Sequence, residues 1–131
     1  MKKLLILTAV AAIVFIFLLL WRERPLIVIF TPKADDVIAS PLAFSGKARG
    51  YWFFEASFPV RVFDASGAEL GVGIAQAEDE WMTEDFVPFS GSVEFRAPGT
   101  PTGKVVFQKD NPSGLLEHDA AVEVPVRFLL P

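Results

Sequence analysis

Near the start of the chain runs a stretch, Leu4 to Trp21, whose only hydrophilic side chain is Thr8. No other feature restricts the possible folds as much. Eighteen residues at about 1.5 Å each make a helix of roughly 27 Å, close to the hydrocarbon thickness of a bilayer. A cleaved signal peptide has a shorter apolar stretch and ends in a small-x-small site. Here the stretch ends in Trp21-Arg22-Glu23-Arg24-Pro25, which is bulky and charged. The segment is therefore expected to remain as a membrane anchor. Trp21 falls where an interfacial aromatic sits, and Arg22 and Arg24 can snorkel to headgroups. A buried core helix is the alternative, but a small domain cannot wrap a helix that is apolar on every face.

The remaining chain reads as one mixed apolar and polar domain, so the expected division is an anchor at 1–24 and a domain at 25–131. Lys2, Lys3 and the terminal amine lie on one side of the apolar run. Arg22 and Arg24, offset little by Glu23, lie on the other. The charge bias toward an inside N-terminus is slight. The short N-terminal tail and the large C-terminal part suit a signal-anchor with the domain exported.

There is no cysteine, hence no disulfide framework, thiolate metal site, thiol nucleophile or lipidated cysteine. From residue 25 on there are 8 basic and 15 acidic residues, a net of -7. A surface that acidic repels nucleic acid and anionic headgroups, so no nucleic-acid partner is expected.

From Leu26 onward apolar residues recur at period two, and turn residues interrupt them every 8–12 residues or so, the pattern of a sandwich or barrel. Leu26 to Phe30 is a first strand, ended by Thr31-Pro32. Leu42 and Phe44 share a face, as do Val60 and Val62. Leu70, Val72 and Ile74 alternate with Gly71, Gly73 and Ala75. The small residues imply a segment pressed close against their face, or a bend. Val93 and Phe95, then Val105 and Phe107, then Val122, Val124, Val126 and Phe128 complete the series. Pro125 has no backbone donor, which places its strand at an edge or a bulge. About seven short strands in some hundred residues predict an immunoglobulin-like β-sandwich. Its expected core is Ile29, Phe44, Val60, Val62, Leu70, Val72, Ile74, Val93, Phe95, Val105, Phe107, Val124, Val126 and Phe128.

Three segments exceed what alternation explains. Gly50 to Pro59 holds Tyr51, Trp52, Phe53, Phe54 and Phe58, which cannot all face one way. They form either an interface or a corner that plugs the core. Glu55 among them needs a partner if it is buried. Glu78 to Phe89 surrounds Trp81 and Met82 with five carboxylates. A calcium loop, an exposed docking anchor and an ordinary solvated loop are the readings. The D-x-D-x-D-G spacing of calcium loops is missing. Lys109-Asp110-Asn111-Pro112-Ser113-Gly114 is a turn whose side chains can bond the backbone. Its proline blocks glycosylation at Asn111.

Catalysis finds little support. His118 is the only histidine, and Ser113 and Asp119 near it in sequence do not make a triad. Neither G-x-S-x-G nor S-x-x-K occurs. No catalytic residue, metal ligand or cofactor is expected.

Together the odd segments resemble the immunoglobulin-like domain of bacterial spore germination and sporulation proteins, the Gmad family. The matching residues are Ser40-Pro41, Ser45-Gly46-Lys47-Ala48, Trp52 to Val60, Asp64, Gly67, Ala75-Gln76-Ala77, Trp81-Met82, Phe86, Pro88-Phe89 and Lys109 to Gly114. The resemblance spans about residues 27 to 128. It implies a bacterial envelope protein, single-pass with its C-terminal domain outside the cytoplasm, and a binding or assembly module without catalytic residues. Family members often carry another envelope module beside this domain, which this chain does not show, so a germination role does not follow. The expected function is docking of an envelope protein or cell-wall glycan; the alternative is a structural subunit with no free ligand. If the domain binds a partner, contact is expected at the loops carrying Trp52, Glu55, Trp81, Met82, Asp110, Asn111, Pro112, Ser113 and Gly114. The competing expectation is that these loops interlock only with each other, Trp81 covering the aromatic corner, Glu55 bonding backbone donors and Asn111 fixing the turn.

Overall fold

A computed structural model describes residues 1–20 and 25–130. The expectations for Trp21, Arg22 and Arg24 lie outside the described residues. Helix α1 (Lys2–Leu20) has no buried residue. Its 19 residues reach roughly 28 Å at 1.5 Å per residue. It is long and apolar enough to cross a membrane.

Among the described residues eight strands follow: β1 (Ile27–Thr31), β2 (Asp36–Ile38), β3 (Leu42–Arg49), β4 (Ser57–Asp64), β5 (Glu69–Ala77), β6 (Phe86–Val93), β7 (Thr102–Gln108) and β8 (Ala121–Phe128). Hydrogen bonds join them in the order β1-β3-β6-β5-β4-β7-β8-β2. All neighbours are antiparallel except β2 with β8. The ladder between β5 and β6 is only Gln76↔Ser90 and Ala77↔Phe89. There the sheet folds over, so that β1-β3-β6 lies against β5-β4-β7-β8-β2. The eighth strand, one more than expected, is β2. Three residues are too few to show alternation, and β2 forms only because the chain after Pro32 crosses to the edge of β8.

The core lies between the two layers. Phe44 on β3 meets Phe107 on β7 at 5.7 Å between ring centroids, nearly perpendicular. Phe89 on β6 meets Phe58 on β4 at 4.9 Å and Phe107 at 6.0 Å. The two edge-to-face pairs, Phe44 with Phe107 and Phe58 with Phe89, add about 0.5–1.5 kcal/mol each beyond their buried area. Val60, Val62, Val105 and Phe107 are fully covered, and Leu70, Val93, Val124, Val126 and Phe128 are buried. Along Ala121–Pro125 β8 is a sheet edge, because β2 pairs only with Val126 to Phe128. That is where Pro125 can be tolerated.

Two expected core residues prove to be surface residues. Val72 is 46% and Ile74 47% exposed. The reason is a β-bulge: Val62 pairs with Gly71 but Phe63 pairs with Glu69, which leaves Leu70 as an extra residue. One extra residue reverses the facing of everything beyond it. Leu70 points inward, and after the bulge Gly73 and Ala75 do. These positions must be small. A Cβ on Gly73 would run into the Ser92 carbonyl and Val93, because the end of β6 passes over them. Ile29 and Phe95 are half-buried against the core rather than inside it. Phe95 lies beyond the end of β6, its ring 5.8 Å from Phe128.

A further correction concerns Phe86 to Phe89. These residues belong to β6 rather than to the acidic loop, and Val87 and Phe89 are fully buried. Pro88 obscured the strand pattern. It is exposed, stands opposite Lys47 and accepts a hydrogen bond from the Glu78 N–H.

Candidate functional site

Antiparallel pairing decides which loops meet. The starts of β1, β4, β6 and β8 and the ends of β3, β5 and β7 all lie at one end of the sandwich. This proximal end is the one the chain reaches from α1. The three unusual segments are the β3–β4, β5–β6 and β7–β8 connections, so all three gather there.

A single 3-10 turn, Gly50–Trp52, is the hub. A side chain at Gly50 would collide with the carbonyls of Trp81 and Thr83; glycine lets the acidic loop lie directly on the turn. The Gly50 N–H donates to the Asp85 carbonyl at 3.1 Å, and the Trp52 carbonyl accepts from the Asp110 N–H at 3.1 Å. The turn also sorts the aromatic run. Trp52 and Phe53 go inward, and both rings pack against Phe58, at 6.4 Å and 5.2 Å. Tyr51 and Phe54 stay outside. The Trp52 indole Nε1–H is buried with no acceptor among the described residues.

Glu55 is exposed, so no burial cost arises. With Ala56 it forms a two-residue turn at φ 49° and 63°. Phe54 and Ser57 exchange both backbone hydrogen bonds across it, at 2.9 and 3.1 Å. Positive φ at both central positions is the type I′ hairpin geometry, normally given to Asn-Gly.

In the acidic loop two of the five carboxylates turn back on their own backbone. Asp79 accepts from the Glu80 N–H and Glu80 from the Met82 N–H, both at 3.2 Å. Trp81 is half-buried against the core, while Met82 is 73% exposed. The Arg49 guanidinium stacks 3.9 Å from the Phe86 ring centroid.

In the third segment Asn111 organises the turn. Its Nδ2 donates to the Leu115 carbonyl at 2.8 Å and to Asp119 at 2.6 Å, and its Oδ1 accepts from the Ser113 hydroxyl at 2.5 Å. Gly114 takes φ 68°. Ser113 is thus bonded to Asn111 rather than to His118, and His118 approaches Glu117 instead, at 3.7 Å. Ser113, His118 and Asp119 therefore form no triad. Pro112 joins Tyr51, Phe53 and Phe54 in lining an open, mainly apolar groove of about 320 Å³.

Of the residues singled out from the sequence, Trp52 is packing and Asn111 and Ser113 are turn architecture. Glu55, Met82, Asp110 and Pro112 share one end of the molecule. Sequence reasoning left Tyr51 and Phe54 open between interface and core and passed over Leu115 and Leu116; all four are exposed there. A leucine pair in a polar connection was a visible signal; the facing of Tyr51 and Phe54 was not, since four consecutive aromatics fit any phase.

Among the described residues the one buried charge, Asp64, sits at the opposite, distal end. It closes the β4–β5 turn. Its Oδ1 accepts from the Ser66 hydroxyl at 2.5 Å and from the Ser66 and Ala68 N–H groups, and its Oδ2 accepts from the Gly99 N–H. The Ser66 hydroxyl, with these backbone donors, holds the carboxyl below the usual carboxylate range against the opposing effect of burial.

A family model described as the immunoglobulin-like domain of bacterial spore germination, Gmad2, matches residues 26–114. No curated protein and no solved structure matches.

Proposed function

Because the chain belongs to the Gmad2 family of immunoglobulin-like domains, we propose that it is a non-catalytic module of the bacterial envelope, anchored through residues 1–24. In this reading α1 spans the membrane and the domain at 25–131 lies outside the cytoplasm. It docks an envelope protein at the proximal end. The supporting observation is Met82, exposed at the tip of a five-carboxylate loop that Gly50 holds against a rigid turn. Such a tip suits a partner with an apolar contact ringed by basic residues. Glu55, Asp110 and Pro112 share this end of the molecule.

Two experiments test this. Protease added to intact spheroplasts should remove the domain; digestion only after lysis overturns the orientation. In native membranes, a photo-crosslinker at Thr83 should capture one protein reproducibly. Met82→Glu should abolish that capture while leaving the melting temperature unchanged. Capture that survives Met82→Glu places the contact elsewhere, and capture of glycan strands would make the cell wall the partner.

A second reading has its own observation. Trp52 is buried in the core, and Asn111 and Ser113 are taken up by turn bonds, which suits a structural subunit without a free ligand. Absence of any captured species in native membranes favours it.

A further inference from the structure

The proximal end has two flanks. The acidic loop 78–85 is on one, where β5 meets β6. The other carries Phe54, Leu115 and Leu116, which are 42%, 52% and 85% exposed, and Tyr51 stands between the two, in one groove with Glu84 and Asp85 and in another with Phe54 and Pro112. The chain arrives between the flanks: Pro25, Leu26 and Ile27 share a groove with Trp52, Ala120, Ala121 and Val122, and Leu26 also borders Arg49, Tyr51, Glu84 and Asp85. Between Leu20, the end of α1, and Ile27, the start of β1, lie residues 21–26. Fully extended at about 3.3–3.6 Å per residue, that connection reaches only about 20–25 Å.

We propose that this apolar flank docks on the lipid bilayer that α1 spans, with the acidic loop tilted toward solution. The proposal rests on the anchored reading above and names the second contact of the proximal end. Leucines and amphipathic aromatic rings are the side chains that settle at a membrane interface. The tether makes the contact intramolecular, so a patch too small to hold a free domain on a membrane is enough. Charge sets the lipid preference. Glu55, Asp110, Glu117 and Asp119 outnumber Lys109 and His118 around the patch, so anionic headgroups oppose docking and salt relieves the opposition.

The cysteine-free sequence allows one nitroxide label per variant. Full-length Glu117→Cys (proximal) and Ala34→Cys (distal) are labelled and reconstituted at one chain per phosphatidylcholine nanodisc. The label at 117 should be several-fold less accessible to a water-soluble nickel chelate, and more accessible to oxygen, than the label at 34. Phosphatidylglycerol should reduce that protection and added salt restore it. Leu115→Ser with Leu116→Ser should abolish it with the melting temperature unchanged, since both side chains are exposed. Equal nickel access at 117 and 34 overturns the docking alone. Protection that ignores the leucines, or that arises only with two chains per disc, also overturns it, the latter in favour of a second copy. A chain that fails to stay in the discs overturns the anchored reading and the docking with it.

Discussion

Trp52 and Tyr51 are neighbours with opposite fates, and the difference is measurable. Trp52 is 1% exposed, so Trp52→Ala should cost about 3–5 kcal/mol. Trp52→Phe keeps a ring and deletes the unpaired indole donor. Its cost should stay below about 1.5 kcal/mol, because removing an unsatisfied buried polar group recovers part of what the smaller ring loses. Denaturant unfolding of the full chain in mild detergent distinguishes the two. Ala56 should respond in the other direction. An L-residue in the left-handed region costs about 1–2 kcal/mol, so Ala56→Gly should raise stability by about 1 kcal/mol by the same measurement; a loss there would mean the turn is not strained. Asp64 carries the pH dependence. Its folded pKa lies below the ordinary value of 3.8, so the unfolded state binds the proton more readily. Its contribution is present in full above about pH 4 and disappears as the pH falls through the folded value. Asp64→Asn should lower the melting temperature at neutral pH and flatten the acid limb of stability against pH. An unchanged limb would assign acid sensitivity to other carboxylates.

At the level of elements, β5 shows how one bulge can invert a strand. Val72 and Ile74 belong to the outer face, so Ile74→Thr should cost under about 1 kcal/mol, as surface substitutions do. Gly73→Val, placed where the end of β6 crosses, should cost more than about 2 kcal/mol through overpacking and displaced backbone. The opposite ranking in unfolding experiments would restore the simple alternation. Phe95 belongs to the same comparison. Because it is only half-buried, Phe95→Ala should cost clearly less than Phe89→Ala, for which about 3–5 kcal/mol is expected.

For the whole molecule, the family match ends at residue 114, yet the fold does not. β8 pairs with β7 at seven positions from Thr102↔Arg127 to Gln108↔Ala121. It also contributes Val124, Val126 and Phe128 to the core. A chain stopped after Gly114 should lose cooperative unfolding, because the core opens on one side and β7 becomes an unpaired edge. A sharp transition in that truncated chain would show that the matched part folds alone. The same topology brings the chain from α1 to the end that carries all three unusual segments.

The sequence by itself determined the features that depend on short-range periodicity: an apolar helix long enough for a bilayer, the strands around Phe44, Val60, Val105 and Val126, and the turns between them. These are legible because the facing of a strand follows from alternate residues and a helix length from a residue count. The odd composition of the Gly50–Pro59, Glu78–Phe89 and Lys109–Gly114 segments was equally plain. Only the tertiary structure decided that these segments meet, because their meeting depends on which strands pair. Only it decided that Val72 and Ile74 face outward, because a bulge depends on the register against β4. It also separated buried Trp52 from exposed Tyr51, because the 3-10 turn that sets their phase is held by the Asp85 carbonyl and the Asp110 N–H, contacts from distant parts of the chain.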